Sequence, residues 1–342
     1  MIRRTLFALL ATGGLVGAGY LGWLHEIRRP VRPDAPAPQW LVISPGMSTA
    51  AIGRHLHALG LVRHPLVFRT LVAHRKLDGK LRSGEYLLEG TVCLDEILSL
   101  LERGETRRRD LTFPEGKSLE DLASIAASRG LDGAAFLEAA GDPSPIQDLD
   151  PEAQDLEGYL FPDTYDLPRG DDAARALVLR MVRRFREVIG PELPRLPERG
   201  LTLRQLTTLA SLVEMETARA EERPRIAAVF QNRLRRGMPL QTDPTVIYAL
   251  RKAGGYDGNI RKKDLELASP YNTYRHPGLP PGPIASPGRE ALLAALDPAQ
   301  APDLYFVSRN DGSHQFSATL AEHERAVDRY QRRRRATPPR AS

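Results

Sequence analysis

The chain has a single cysteine among its 342 residues, two tryptophans, and only 6% aromatic side chains. With Cys93 alone, no intrachain disulfide can form, so burial and hydrogen bonding must hold the fold, and the redox compartment is left open. Cys93 lies between Val92 and Leu94 at the head of a helical pattern and reads as a small buried apolar residue. Metal-ligand spacing is also missing. His55, His57, His64 and His74 are scattered and lack acidic companions, so neither a metal nor any other cofactor is expected. Nucleic acid is excluded as a partner, because no binding motif occurs and Arg332 to Arg335 form only a short terminal run. The formal charge of +5 is modest and suits work near an anionic polymer or lipid without requiring it. With 42% hydrophobic residues, the chain can bury the cores of about two domains.

One long uncharged run stands out. Thr5 to Leu24 follows Arg3 and Arg4 and would give about 30 Å of helix, enough to cross a bilayer. It reads as an uncleaved signal anchor, since it exceeds the usual apolar core of a signal peptide and no cleavage site follows it. Gly13 and Gly17 are spaced for helix pairing in a membrane, and Arg28, Arg29 and Arg32 beyond the span leave its orientation unset by charge. Four prolines between Pro30 and Pro38 make an extended spacer.

Trp40 to Ile43 is a strand, Ser44-Pro45-Gly46 a turn, and Ser48 caps a helix closed by Gly60. The unit recurs at Pro114 to Ser118 and Gly130 with the same offset (118 − 48 = 130 − 60). This strand, turn and helix resembles LysM-like modules, which bind N-acetylglucosamine polymers; the alternative is a packing domain without ligand. Leu66 to His74 and Leu94 to Arg103 are helical, Gly84 to Leu88 and Asp110 to Phe113 extended, and Arg107 to Arg109 a solvated basic run. Gly141 to Asp155 is loop, followed by aromatic Tyr159, Phe161 and Tyr165 and an amphipathic helix over Ala173 to Ile189. Asp264 to Gly288, with six prolines, is an ordered loop. Asn310-Asp311-Gly312 marks a hairpin, a helix spans Thr319 to Tyr330, and Gln331 to Ser342 is a disordered tail.

The most informative stretch is Leu209 to Tyr248, whose first helix begins a little earlier. In a helix from Leu203 to Thr217, Leu206, Leu209, Ala210 and Val213 make the buried stripe. Glu214 and Glu216 then sit on opposite shoulders, each roughly 80° from its centre, and periodicity leaves open which one lines a cleft. A second helix, Arg223 to Arg236, puts Arg233 on the apolar stripe, which calls for a carboxylate partner in Glu216 or Asp243. Gly237 ends it, and Thr242 or Asp243 before Pro244 caps a third.

The strings ASLVEMET, QNRL, GMPLQTDPTVIYAL, SPYNTYRHPGLPPGPIASPG, LEGYLFPDTYDLP and LYFVSRNDGSHQFSATLAEH together resemble the YceG-like, or MltG, family of endolytic murein transglycosylases. Together with the uncharged run and the repeat, this gives the expectation of an α+β chain with one N-terminal transmembrane helix, a small LysM-like subdomain and a larger YceG-like catalytic domain. The boundaries are 1–29 for the cytoplasmic stub and anchor, 30–38 spacer, 39–110 LysM-like, 111–330 catalytic and 331–342 tail. The resemblance implies a lyase of the inner membrane that cuts nascent glycan strands at MurNAc-GlcNAc bonds, leaving 1,6-anhydro ends and terminating elongation. The catalytic part would lie on the outer side, beside peptidoglycan synthases. Carried onto this chain, the acid then base is Glu214, the first Glu of the motif. Substrate contacts are expected from Gln231, Asn232, Gln241, Asp243, Tyr248, Tyr271, Asn272 and Tyr274, with Glu216 and Arg233 as a structural ion pair. Two rivals stay open: a non-catalytic wall-binding scaffold, and a hydrolase using Asp243, Glu216 or Glu157 as a second carboxylate.

Overall fold

A computed structural model describes residue 14 and residues 17–31, 38–104, 110–167, 170 and 172–332. Most of the expected membrane span, most of the proline spacer, Arg107 to Arg109 and the tail from residue 333 lie outside the described residues. Among those described, no helix is long and apolar enough to cross a membrane. The chain divides into two units, Met1–Arg109 and Asp110–Ser342.

The first unit contains a helical stretch α1 (residues 17–28), then β1 (Gln39–Ile43), α2 (Thr49–Ala58), α3 (Pro65–His74), β2 (Gly84–Leu88) and α4 (Leu94–Arg103). Strands β1 and β2 pair antiparallel, from Gln39 opposite Leu88 to Ile43 opposite Gly84. The Ser48 hydroxyl accepts from the Ala51 N–H, the expected cap. The C-terminal end of the expected membrane run belongs to this unit: Trp23 Nε1 donates to Thr70 Oγ1 at 2.9 Å, and Trp23 and Leu24 pack on its core.

In the second unit, β3 (Asp110–Thr112), α5 (Leu119–Ala127), α6 (Gly133–Ala140) and β4 (Thr164–Asp166) come first, with β3 antiparallel to β4. The order strand, helix, helix, strand with paired strands is that of β1-α2-α3-β2, so the sequence repeat is half of a larger structural one. Then follow α7 (Ala173–Ile189), α8 (Leu203–Glu216), α9 (Arg223–Arg235), α10 (Asp243–Lys252), α11 (Arg289–Leu296), the hairpin β5 (Tyr305–Ser308) and β6 (His314–Ser317), and α12 (Leu320–Val327). The first two residues of the expected tail belong to the fold: a further helical turn covers Asp328–Arg332, and Gln331 Nε2 donates to the Ser308 carbonyl at 2.9 Å.

Helix α8 is the axis of this unit. A Thr202–Gln205 capping box starts it, α9, α10 and α11 pack on it, and Leu206, Leu209, Ala210 and Val213 are sealed as periodicity requires. Thr207, Thr208 and Ser211 on its other side are sealed too, under Gly158 and the loop 264–288. Gly158 has φ +83°, and a Cβ there would lie 2.4 Å from Pro283, so only glycine lets the 156–168 segment cross here.

Glu157, a candidate second carboxylate, belongs to this core and lines no cleft. It is 3% exposed, and its Oε2 accepts from the Leu119 N–H at 3.3 Å and the Tyr248 hydroxyl at 3.2 Å. Burial pushes its carboxyl from 4.5 up to about 8. The folded state therefore holds a proton that the unfolded chain releases. The associated stability is complete below about pH 4.5 and is lost as pH rises through about 8. Glu157→Gln is expected to remove about 3 kcal/mol of this decline between pH 5 and pH 8, read from urea unfolding at both values.

Candidate active site

The last turn of α8 carries both candidate carboxylates, and the two shoulders meet different surroundings. Glu214 is 6% exposed and closed into a salt link: Arg223 Nη2 donates to its Oε1 at 2.8 Å and the Gly288 N–H to its Oε2 at 3.0 Å. The same Arg223 nitrogen reaches Glu115 Oε2 at 3.3 Å. The 114–117 turn lies over this cluster, fixed by backbone bonds from Gly116 and to Lys117 with Ser286. Burial raises the Glu214 carboxyl above its ordinary range, while the Gly288 N–H and Arg223 oppose that rise. The resemblance selects this residue as the proton donor, yet its oxygens are committed to fixed donors.

Glu216 opens instead on a cavity of about 380 Å³. Its Oε1 accepts from the Thr242 hydroxyl, and no salt bridge joins it to any described cation. Burial, reinforced by the Asp243 carboxylate, pushes its carboxyl up to about 7 against the pull of Thr242, His314 and Arg233. Arg233, Gln241, Asp243, Tyr274 and His323 make the rest of the polar wall, and Leu240, Phe306, Val307 and Val327 the apolar one. The Tyr274 hydroxyl donates to Asp243 Oδ1 at 2.5 Å. The loop 264–288 is pinned here: the Gln241 N–H donates to the Thr273 carbonyl at 3.2 Å and the Thr242 N–H to Thr273 Oγ1 at 3.1 Å. Gln241 pays with a φ of +53°, a conformation non-glycine residues hold where surrounding structure imposes it.

Three of the eight expected contact residues, Gln241, Asp243 and Tyr274, thus share a wall with Glu216. The other five are used by the fold. Asn232 Nδ2 holds the Ala301 and Asp303 carbonyls, each at 2.8 Å, and buried Asn272 holds those of Leu265 and Leu267. Tyr248 is buried on Glu157, with Tyr271 against its ring at 4.9 Å. Gln231 donates to the Ala295 carbonyl and lines a separate cavity with Arg199 and Arg235.

The ion pair expected between Arg233 and Glu216 or Asp243 is not formed. Arg233 Nε donates to the Leu304 carbonyl at 2.7 Å, and Nη1 donates to those of Leu240 at 2.8 Å and Pro239 at 3.3 Å. Backbone oxygens turned inward after Gly237 replace the carboxylate. Thr242 is the N-cap residue of α10, but its hydroxyl serves Glu216 and does not cap. Nothing in the sequence pattern singles out Glu115 or Arg223. For His323 a signal exists, since the Thr319–Glu322 capping box fixes where α12 starts and so places His323 on its first turn.

A carboxyl able to carry a proton near neutrality, beside a cavity polar on one wall and apolar on the other, is an arrangement capable of acid/base chemistry in an α+β scaffold. The chain belongs to the YceG-like family, whose model matches residues 41–329. It is 32% identical to the endolytic murein transglycosylase of Bacillus subtilis, over 92% of this chain and 91% of that protein. It is 30% identical to the protein of that name from Streptococcus pneumoniae, over 94% of this chain and 63% of the relative. The crystal structure of a YceG-like protein from Listeria monocytogenes superposes with a TM-score of 0.59 at 32% identity, covering 85% of this chain and 99% of that one.

Proposed function

We infer that the chain is an endolytic murein transglycosylase, a lyase that cleaves peptidoglycan glycan strands. The carrying observation is Glu216, salt-bridged to none of the described cations and able to hold a proton near pH 7 at the edge of a sugar-sized cavity. Glu216 protonates the oxygen leaving the anomeric carbon, and positive charge builds at that carbon. The resulting carboxylate then takes the proton of the C6 hydroxyl on the same muramoyl unit, and the C6 oxygen bonds to C1. A 1,6-anhydro ring closes, Glu216 regains its proton, and no water is consumed. Glu214, the residue selected by resemblance, is the alternative donor. Its closed link to Arg223 and Gly288 favours a role in fixing the last turn of α8. Gln241, Asp243 and Tyr274 are the substrate contacts this geometry supports.

The uncharged run Thr5 to Leu24 supports a single-pass anchor in the cytoplasmic membrane with the catalytic unit outside, near peptidoglycan synthases. The order β1-α2-α3-β2 supports a LysM-like first unit. Mass spectrometry of digested peptidoglycan tests the reaction. Ends lighter than reducing ends by one water are expected. Reducing ends alone would mean hydrolysis, with Asp243 as the second carboxylate, and no fragments at all would mean a scaffold.

A further inference from the structure

His323 faces the same cavity as Glu216 and is unused by the fold or by the reaction as described. Its ring stacks on Tyr305 at 5.1 Å with an interplanar angle of 21°, which fixes its plane. Nδ1 is sealed from solvent and has no hydrogen-bond partner among the described residues. Nε2 is the ring's one polar atom left open. A second proton on this ring would bury a charged N–H at Nδ1 without an acceptor, so the imidazole stays neutral. Gln241, held at φ +53° where it pins the loop 264–288, shares the wall.

We propose that His323 Nε2 is a substrate-binding group, and that this cavity seats the uncharged N-acetylhexosamine on the leaving side of the scissile bond. The inference rests on the assignment of Glu216 to the acid role. The charges of the cavity select that unit. Its cation, Arg233, has Nε and Nη1 on backbone carbonyls and its guanidinium over Tyr305 at 5.1 Å, while the Asp243 carboxylate repels acids. A carboxylate of a muramoyl unit or its peptide would meet the Asp243 carboxylate here, with only the Nη2 edge of Arg233 left to answer it. An uncharged pyranose sets its apolar face on Phe306 and its hydroxyl and acetamido groups towards Gln241, Tyr274 and His323.

The test is titration of the full chain with chitotetraose, alongside the anionic N-acetylmuramyl dipeptide. His323→Leu, which keeps bulk but removes Nε2, is expected to weaken chitotetraose binding about tenfold. His323→Gln, whose amide reaches the place of Nε2, is expected to restore most of the affinity. Far-ultraviolet circular dichroism of both variants shows whether they fold. Equal binding by wild type and His323→Leu, no binding by wild type, or binding of the muramyl dipeptide alone would each overturn the proposal. Undiminished strand cleavage by Glu216→Gln would overturn the acid assignment beneath it and would leave these binding results standing.

Discussion

Glu216→Gln loses strand cleavage by roughly 10³-fold, the scale on which a positioned general acid contributes. The amide keeps the size of the side chain and an oxygen to accept from Thr242, so the cavity is preserved and only the proton is lost. The wild-type enzyme gives the matching pH dependence. Glu216 must enter the reaction protonated, so with a carboxyl at about 7 the rate declines above that pH as the acid form empties. In an ordinary glutamate near 4.5 the same form would be scarce at neutrality, and burial beside Asp243 is what maintains it. Steady-state release of soluble fragments from uncross-linked glycan strands, measured from pH 5 to 9, reads both effects.

The second large effect concerns stability. Arg223 and Glu214 are 8% and 6% exposed, and removing one member of such a pair strands the other charge away from water. Arg223→Ala is expected to cost about 3–5 kcal/mol in urea unfolding at pH 7. The Gly288 N–H would be the carboxylate's one remaining partner. The deficit narrows as pH falls, because a proton on Glu214 removes the uncompensated charge. Glu115 lies 45% exposed at the rim of the cluster, so Glu115→Gln costs much less, at most about 1 kcal/mol. This contrast separates a buried structural pair from a diffuse surface network.

Much of the architecture can be read from local pattern. The stripe Leu206, Leu209, Ala210 and Val213 places α8, and the Ser48 and Ser118 caps place the helix starts of both repeats. Of the closing strands, β2 is legible as Gly84 to Leu88, whereas β4 is less so, because it returns only at Thr164, after a long loop that β2 lacks. The site was legible to the level of two candidates. Glu214 and Glu216 are equivalent about the stripe, and what separates them arrives from distant chain: Glu115 and Gly288 on one side, Thr242, Asp243 and His323 on the other. Arg233 shows a related limit. Its position on an apolar face demands partners, but sequence cannot show that turned-in carbonyls of Pro239, Leu240 and Leu304 will supply them in place of a carboxylate. For Asn232, Tyr248 and Asn272, expected as substrate contacts, the sequence does not show that each also satisfies a buried polar group of the fold.

Side-by-side digestion of glycan strands by Glu216→Gln and Glu214→Gln, with 1,6-anhydro ends counted by mass spectrometry, bears most directly on which shoulder of α8 delivers the proton. The predicted result is no anhydro ends from Glu216→Gln and a clear yield from Glu214→Gln, the latter less stable but active. Anhydro ends from Glu216→Gln at the wild-type level, with none from a folded Glu214→Gln, would contradict it.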